Sequence, residues 1–121
     1  MLEIEFSPTA RRDLVEILDW SRAQFGNLAQ QRYRILIKQA LDDIASEPDR
    51  PGSRIVPELM ENVRLYHLRH SRRNVADSRN QVKRPRHFVL FRIKGETLEI
   101  GRLLHESMDI EIHYPEEFQA S

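Results

Sequence analysis

Leu2-Glu3-Ile4-Glu5-Phe6-Ser7-Pro8-Thr9-Ala10 changes its period partway along. Leu2, Ile4 and Phe6 alternate with Glu3 and Glu5, the period-two pattern of a half-buried strand. Ser7 then offers a capping hydroxyl, and Pro8 suits the first helical position, where a missing N–H costs nothing. A strand therefore runs straight into a helix. Downstream, Ala10, Leu14, Ile17, Leu18 and Phe25 fall on one helical face, while Arg11, Arg12, Asp13, Glu16 and Asp19 cover the other. Gly26 suits the left-handed residue that closes a helix, and Asn27 suits the cap of a second one. Ala29, Tyr33, Leu36, Ile37, Ala40, Leu41 and Ile44 form the stripe of that second helix, which Pro48 closes. So short a turn makes the two helices an antiparallel hairpin.

Residues 48–62 carry three prolines and a glycine and read as a loop, with Val56 and Leu59 available to pin it to the core. Strands are expected over 63–69, 87–93 and 97–104. Lys94-Gly95-Glu96 turns the last two into a hairpin, because glycine supplies the positive φ such a turn demands. Residues 71–81 are polar and aperiodic and read as a flexible loop. The expected fold is α+β in one domain, 1–121. Its parts are an N-terminal strand, an antiparallel two-helix hairpin and a three-stranded antiparallel meander, with the helices packed on one sheet face.

A chain of 121 residues supports one modest core, and 40% hydrophobic with 31% charged residues is a folding composition. Without cysteine, neither a disulfide framework nor a thiolate metal site is possible. Met-Leu-Glu-Ile-Glu-Phe lacks the basic start and apolar run of a signal peptide, and no stretch approaches the roughly 18 apolar residues of a membrane span. A cytoplasmic protein with no membrane role is expected. The net charge of zero hides a separation along the chain: eight Lys/Arg against Asp77 over 64–86, then five acids and no Lys/Arg over 106–117. The plain account is a solvated basic loop, about 70–86, followed by a solvated acidic tail, about 106–121. The sharper one is a basic surface for an acidic partner, with the tail tuning access to it.

Four segments in this order resemble the ParE/RelE toxin superfamily: Phe6-Ser7-Pro8-Thr9-Ala10, Val63-Arg64-Leu65-Tyr66-His67-Leu68, Arg86-His87-Phe88-Val89-Leu90-Phe91-Arg92-Ile93 and Gly101-Arg102-Leu103-Leu104-His105-Glu106-Ser107-Met108-Asp109. The last is similar to the ParE-type ending, in which an arginine, two aliphatic residues and a histidine precede Met-Asp. The basic loop after Arg69 is longer than a minimal member needs. The resemblance implies the toxin of a type II toxin–antitoxin pair, of the kind associated with plasmid stabilisation. It would poison DNA gyrase, form a hetero-oligomer with a ParD-like antitoxin and need no cofactor. The RelE branch instead cuts messenger RNA on the ribosome, and one fold hosts both functions.

Metal-independent RNA cleavage needs a base, cations for the phosphate and an acid for the leaving oxygen. Arg92, Arg102 and His105, with His67, are the candidates under that alternative. His113 and Tyr114 lie beyond the last strand and fit a nuclease poorly. Under the gyrase reading the binding residues are Arg64, Arg69, Arg92, Arg102, His105, Met108 and Asp109, with no catalytic residue. Arg102 shares strand parity with Leu98, Ile100 and Leu104 and so belongs on an apolar face, unless Gly101 introduces a bulge. The plainer account is an arginine satisfied by a partner at the sheet edge, and for His105 a strand-end histidine bonded to backbone. His67, His87 and His105 approach one another across neighbouring strands, but no spacing fixes a tetrahedral metal site. Arg72, Arg73, Arg79, Lys83, Arg84 and Arg86 offer indirect DNA contact through phosphates or a dock for an acidic antitoxin segment. The loop has no aromatic residue for base stacking. Trp20 and Tyr33 read as packing residues.

Overall fold

The computed structural model describes residues 1–56, 62–108 and 118. Strand β1 (Glu3–Phe6) leads into helix α1 (Pro8–Phe25), where the Ser7 hydroxyl accepts the Ala10 N–H at 2.9 Å, the cap expected for this position. Gly26, at φ 94° and ψ 176°, closes α1 and opens α2 (Asn27–Ser46) at once. Asn27 is thus already helical and no side chain caps α2, because a single positive-φ residue completes the reversal.

Strands β2 (Arg54–Ile55), β3 (Val63–His67), β4 (His87–Lys94) and β5 (Thr97–His105) join β1 in one sheet of order β1-β5-β4-β3-β2. β1 pairs parallel with β5, and the other pairings are antiparallel. The expected meander is therefore present, extended by the two-residue β2 inside the segment read as loop. Val56 is pinned to the core as expected, 4% exposed, while Leu59 lies outside the described residues. Gly95, at φ 62°, occupies the first central position of the two-residue β4–β5 turn.

The helices cover one sheet face. Leu36, Ile37, Ala40 and Ile44 of α2 and Ala10, Ile17 and Leu18 of α1 bury against Tyr66, Val89, Phe91, Leu98, Ile100 and Leu103. Phe25 departs from the expected stripe: it is 67% exposed and meets the Trp20 ring edge-on, with centres 5.6 Å apart. Asp13, expected on the outer face, is buried. On the far face of the sheet Val56, Val63, Leu65 and Leu90 bury together with Phe118.

The segment read as an aperiodic loop holds two 3-10 turns, Leu68–Asn74 and Ser78–Asn80. Asp43 of α2 ties the first one down, accepting from Ser71 Oγ at 2.6 Å and Asn74 Nδ2 at 3.0 Å. Leu68 and Val75 enter the core beside it. Two buried apolar side chains set seven residues apart in a polar run give no periodic signal, so the sequence hid the anchor.

Candidate functional site

Gly101 is the extra residue of a β-bulge: Phe91 pairs with Ile100 and Leu90 with Arg102. Beyond it the strand parity inverts, so Leu103 rather than Leu104 enters the helix-side core. Arg102, the residue after the bulge, reaches Asp13 of α1 at the sheet edge, donating Nε at 2.7 Å to Oδ2 and Nη2 at 2.9 Å to Oδ1. Asp13 Oδ2 also accepts the Leu103 N–H at 3.0 Å, where β1 has ended and the edge of β5 has no strand partner among the described residues. This is the partner-satisfied arginine at a sheet edge.

Arg92 lies opposite Glu99 on the neighbouring strand, 3.0 Å from its Oε2, with its guanidinium 4.1 Å from the centre of the Phe118 ring. Arg64 reaches Asp49 at 2.7 Å. Register sets these two on opposite faces, since Arg64 opposes Phe91 of the helix-side core and Arg92 opposes Val63 of the far face. Arg69 is exposed in the first 3-10 turn, and Met108 is 43% exposed in the turn after β5. Asp109, His113 and Tyr114 lie outside the described residues. The structure thus distributes Arg64, Arg69, Arg92 and Arg102 over two sheet faces and an edge rather than gathering them on one patch.

The histidines meet as the sequence suggested. His87 and His105 are cross-strand partners with ring centres 5.3 Å apart. Tyr33 from α2 bonds His87 Nδ1 at 2.5 Å and accepts the Arg86 N–H at 3.1 Å. Donation from the tyrosine hydroxyl to Nδ1 uses every group, leaving the His87 proton on Nε2. Burial, with the charges of His105 and His67 adding to it, pushes His87 down to about 4. Burial pushes Tyr33 up to about 12. His67 Nδ1 accepts the Arg69 N–H at 3.0 Å, so its Nε2–H donates to Glu106 at 2.9 Å. Burial also lowers His67. Glu106 binds Arg86 at 2.9 Å with its other oxygen, and these two hydrogen bonds hold its carboxyl down at about 2. His105 Nδ1 accepts the Ser107 N–H at 3.1 Å, the backbone bond expected for a strand-end histidine. Among the described residues no three His, Asp or Glu side chains converge as a metal-holding group.

Above this cluster opens a groove of about 1160 Å³. One wall is Arg72, Arg79, Lys83, Arg84 and Arg86, with Arg32 of α2 facing them; the other is Trp20, Phe25, Ala29 and Tyr33 of the helix hairpin. His105 reaches its floor and also lines a smaller groove of about 420 Å³ with Asp13, Trp20, Arg102 and Met108. No carboxylate stands among the described residues lining the larger groove. Arg72 is fixed by donating Nε to the Val82 carbonyl at 2.6 Å, whereas Lys83 and Arg84 are exposed. Such a channel suits an anionic ligand with apolar side chains on one flank.

A family model described as "ParE toxin of type II toxin-antitoxin system, parDE" matches residues 4–110. The chain belongs to the ParE toxin family. The structure titled "Chromosomal ParDE TA system from P. aeruginosa" is similar with a TM-score of 0.62, at 18% identity, covering 87% of this chain and 96% of that one. At that identity the likeness is one of fold. A comparison with curated proteins gives no match. The ParE match takes in both helices, all of the sheet but Glu3 and the basic segment, and stops short of Phe118.

The groove's aromatic wall went unread in the sequence of this ParE-family chain. In the sequence Trp20 and Tyr33 read as packing residues, Phe25 falls on the apolar face of its helix, and the basic loop itself holds no aromatic residues. The hairpin supplies them from across the groove. Two available signals were a tyrosine on a buried stripe, whose hydroxyl needs a polar partner, and a tryptophan outside the stripe.

Proposed function

We propose that this ParE-family chain is a cytoplasmic toxin that binds and poisons DNA gyrase. It is held inactive in a hetero-oligomer with a ParD-like antitoxin, whose acidic, amphipathic segment lies in the basic groove. The observation that carries the antitoxin part is the groove itself, cationic on one wall and aromatic on the other, with no carboxylate among the described residues lining it. A segment that folds on binding gains apolar contact with Trp20 and Phe25 while its acids meet Lys83 and Arg84. The gyrase part rests on the family's association with that target. His105, Met108 and Arg102 share a groove beside β5, and this proximity supports that surface as the target-binding face. The exposure of Lys83 and Arg84 supports a contact with phosphates of DNA held by the enzyme.

Committed carboxylates weigh against messenger RNA cleavage. Arg92 and Arg102, which would steady a charged phosphate, each already hold an acid, at 3.0 and 2.7 Å. A supercoiling assay with purified gyrase tests the reading, using the chain alone and premixed with the product of the adjacent reading frame. Inhibition with trapped cleaved DNA is expected, relieved by the neighbouring protein. Untouched supercoiling together with cut messenger RNA in a translating extract would overturn it in favour of the RelE-like activity.

A further inference from the structure

The larger groove holds more positive charge than the chain itself answers. Arg32, Lys83 and Arg84 have no acid partner among the described residues, while Arg79 and Arg86 pair with Asp77 and Glu106, which stand outside the lining. The Nε of Arg32 is also enclosed without a hydrogen-bond partner among the described residues. Arg72 is anchored through Nε on the Val82 carbonyl, which presents a fixed guanidinium to the space. Cations gathered along one wall repel one another until an anion joins them. Across from them Trp20 and Phe25 are 40% and 67% exposed and meet edge to face, with planes at 84°. That arrangement leaves bare ring face in the groove wall, and a bare ring face takes a second flat ring. The space of about 1160 Å³ exceeds the roughly 300–1,000 Å³ usual for a small-molecule site.

We propose that this groove is also a binding site for a nucleoside polyphosphate, its base stacked on the wall of Trp20 and Phe25 and its phosphates drawn to Arg32, Arg72, Lys83 and Arg84. A flat ring at one end and several negative charges at the other match both walls at once, and stacking accepts any base. An acidic peptide satisfies the cations but brings a flat ring only where its own sequence carries one. Binding alone is inferred, with no chemical step. A nucleotide seated here fills the space into which the acidic antitoxin segment is proposed to fold, so the two compete for the same cations. That consequence rests on the antitoxin reading; the nucleotide site does not.

Titration calorimetry of the full chain with adenosine triphosphate, adenosine and inorganic tripolyphosphate tests this, and the fluorescence of Trp20, the one tryptophan of the chain, gives a second readout. The triphosphate is expected to bind about tenfold or more tighter than either half alone and to quench Trp20. Phe25→Ala is expected to weaken it about tenfold and to leave tripolyphosphate unchanged. Lys83→Gln with Arg84→Gln is expected to weaken both about tenfold, whereas Arg11→Gln, a loss of charge on the outer side of α1, changes neither. All four side chains are exposed, so unfolding curves of the variants are expected to match wild type. Equal affinity for adenosine triphosphate and tripolyphosphate, unmoved Trp20 fluorescence at saturation, or an effect of Arg11→Gln as large as that of the groove pair would show a general attraction of anions and overturn the inference. Binding of a single-stranded tetranucleotide without binding of the free nucleotide would overturn it too. Competition is read by titrating the complex with the product of the adjacent reading frame. Release of that protein by adenosine triphosphate supports both readings. Nucleotide binding without release leaves the nucleotide site standing and moves the antitoxin elsewhere; a complex weakened by the Lys83 and Arg84 changes, in a chain that binds no nucleotide, does the reverse.

Discussion

A carboxylate on the outside of a helix is solvated at no cost, but Asp13 is only 7% exposed and accepts three hydrogen bonds, two from Arg102 and one from the Leu103 backbone. It stands where β1 has turned away into α1, and it takes the place of the strand partner that the end of β5 lacks among the described residues. Losing it leaves a guanidinium and a backbone N–H in a site with little water. Asp13→Ala is therefore expected to cost about 3 kcal/mol in urea unfolding, the scale for breaking one side of a buried pair. Arg102→Ala is expected to destabilise as well, because it strands the carboxylate. Arg69→Ala, on an exposed side chain, is expected to stay within about 0.5 kcal/mol of wild type. Equal stability of Asp13→Ala and wild type would show that water replaces the carboxylate without loss. A functional defect of Arg102→Ala has meaning only beside its unfolding curve.

The contact between α2 and the start of β4 runs through Tyr33, His87 and Arg86, of which Tyr33 and Arg86 line the larger groove and His87 the smaller one. Its titration has a definite sign. His87 is held at about 4 against an ordinary 6.5, so above pH 6.5 both folded and unfolded chains are neutral there and the contact contributes fully. As pH falls from 6.5 towards 4, the unfolded chain takes up a proton that the folded one resists, and about 3 kcal/mol is lost in total. Glu106, held at about 2 against 4.5, contributes above 4.5 and loses its contribution between 4.5 and 2, so acid weakens this end of the fold twice over. Urea unfolding at pH 7, 6 and 5 is expected to give falling stability in wild type. His87→Gln is expected to be less stable at pH 7 and to have a much shallower slope. A slope unchanged in His87→Gln would assign the acid sensitivity to His67, which burial also lowers. The hairpin tip at the other side of the groove depends on Gly26, whose φ of 94° with ψ of 176° is open to glycine almost alone. Gly26→Ala meets no atom within 4 Å, so the expected loss of about 1–3 kcal/mol in thermal or urea unfolding is backbone strain without clash.

Across the whole molecule the charges cancel in sum but not in place. The chain carries 19 basic and 19 acidic residues, and the groove gathers six of the cations with none of the acids among its described lining residues. If the groove docks an acidic antitoxin segment, Lys83→Glu with Arg84→Glu is expected to weaken the complex by about ten- to a hundredfold at low salt while leaving folding within about 0.5 kcal/mol. The loss is expected to shrink as salt rises, since exposed charges are screened within a Debye length. Titration calorimetry with the antitoxin at two ionic strengths measures this, and an affinity indifferent to both the charge reversal and salt would move the antitoxin elsewhere on the surface.

Local chemistry alone determined much of this. The alternation of Leu2, Ile4 and Phe6, the Ser7-Pro8 cap and the α2 stripe each express a preference spanning a few residues, so they were legible one by one. The order of elements then carried the ParE resemblance that the family match bears out. Where the chain departs from local preference, only the tertiary structure decided. Asp13 is buried because an edge strand needed an acceptor. The bulge that was conditional on Gly101 lies where the pairing of β5 with β1 ends and its pairing with β4 continues. The 3-10 segment is anchored by Asp43, 28 residues away. The groove is the clearest case: its cations and its aromatics come from separate stretches of sequence, each bland by itself. Their meeting depends on where the hairpin lies over the sheet, a property of packing that no short-range pattern encodes.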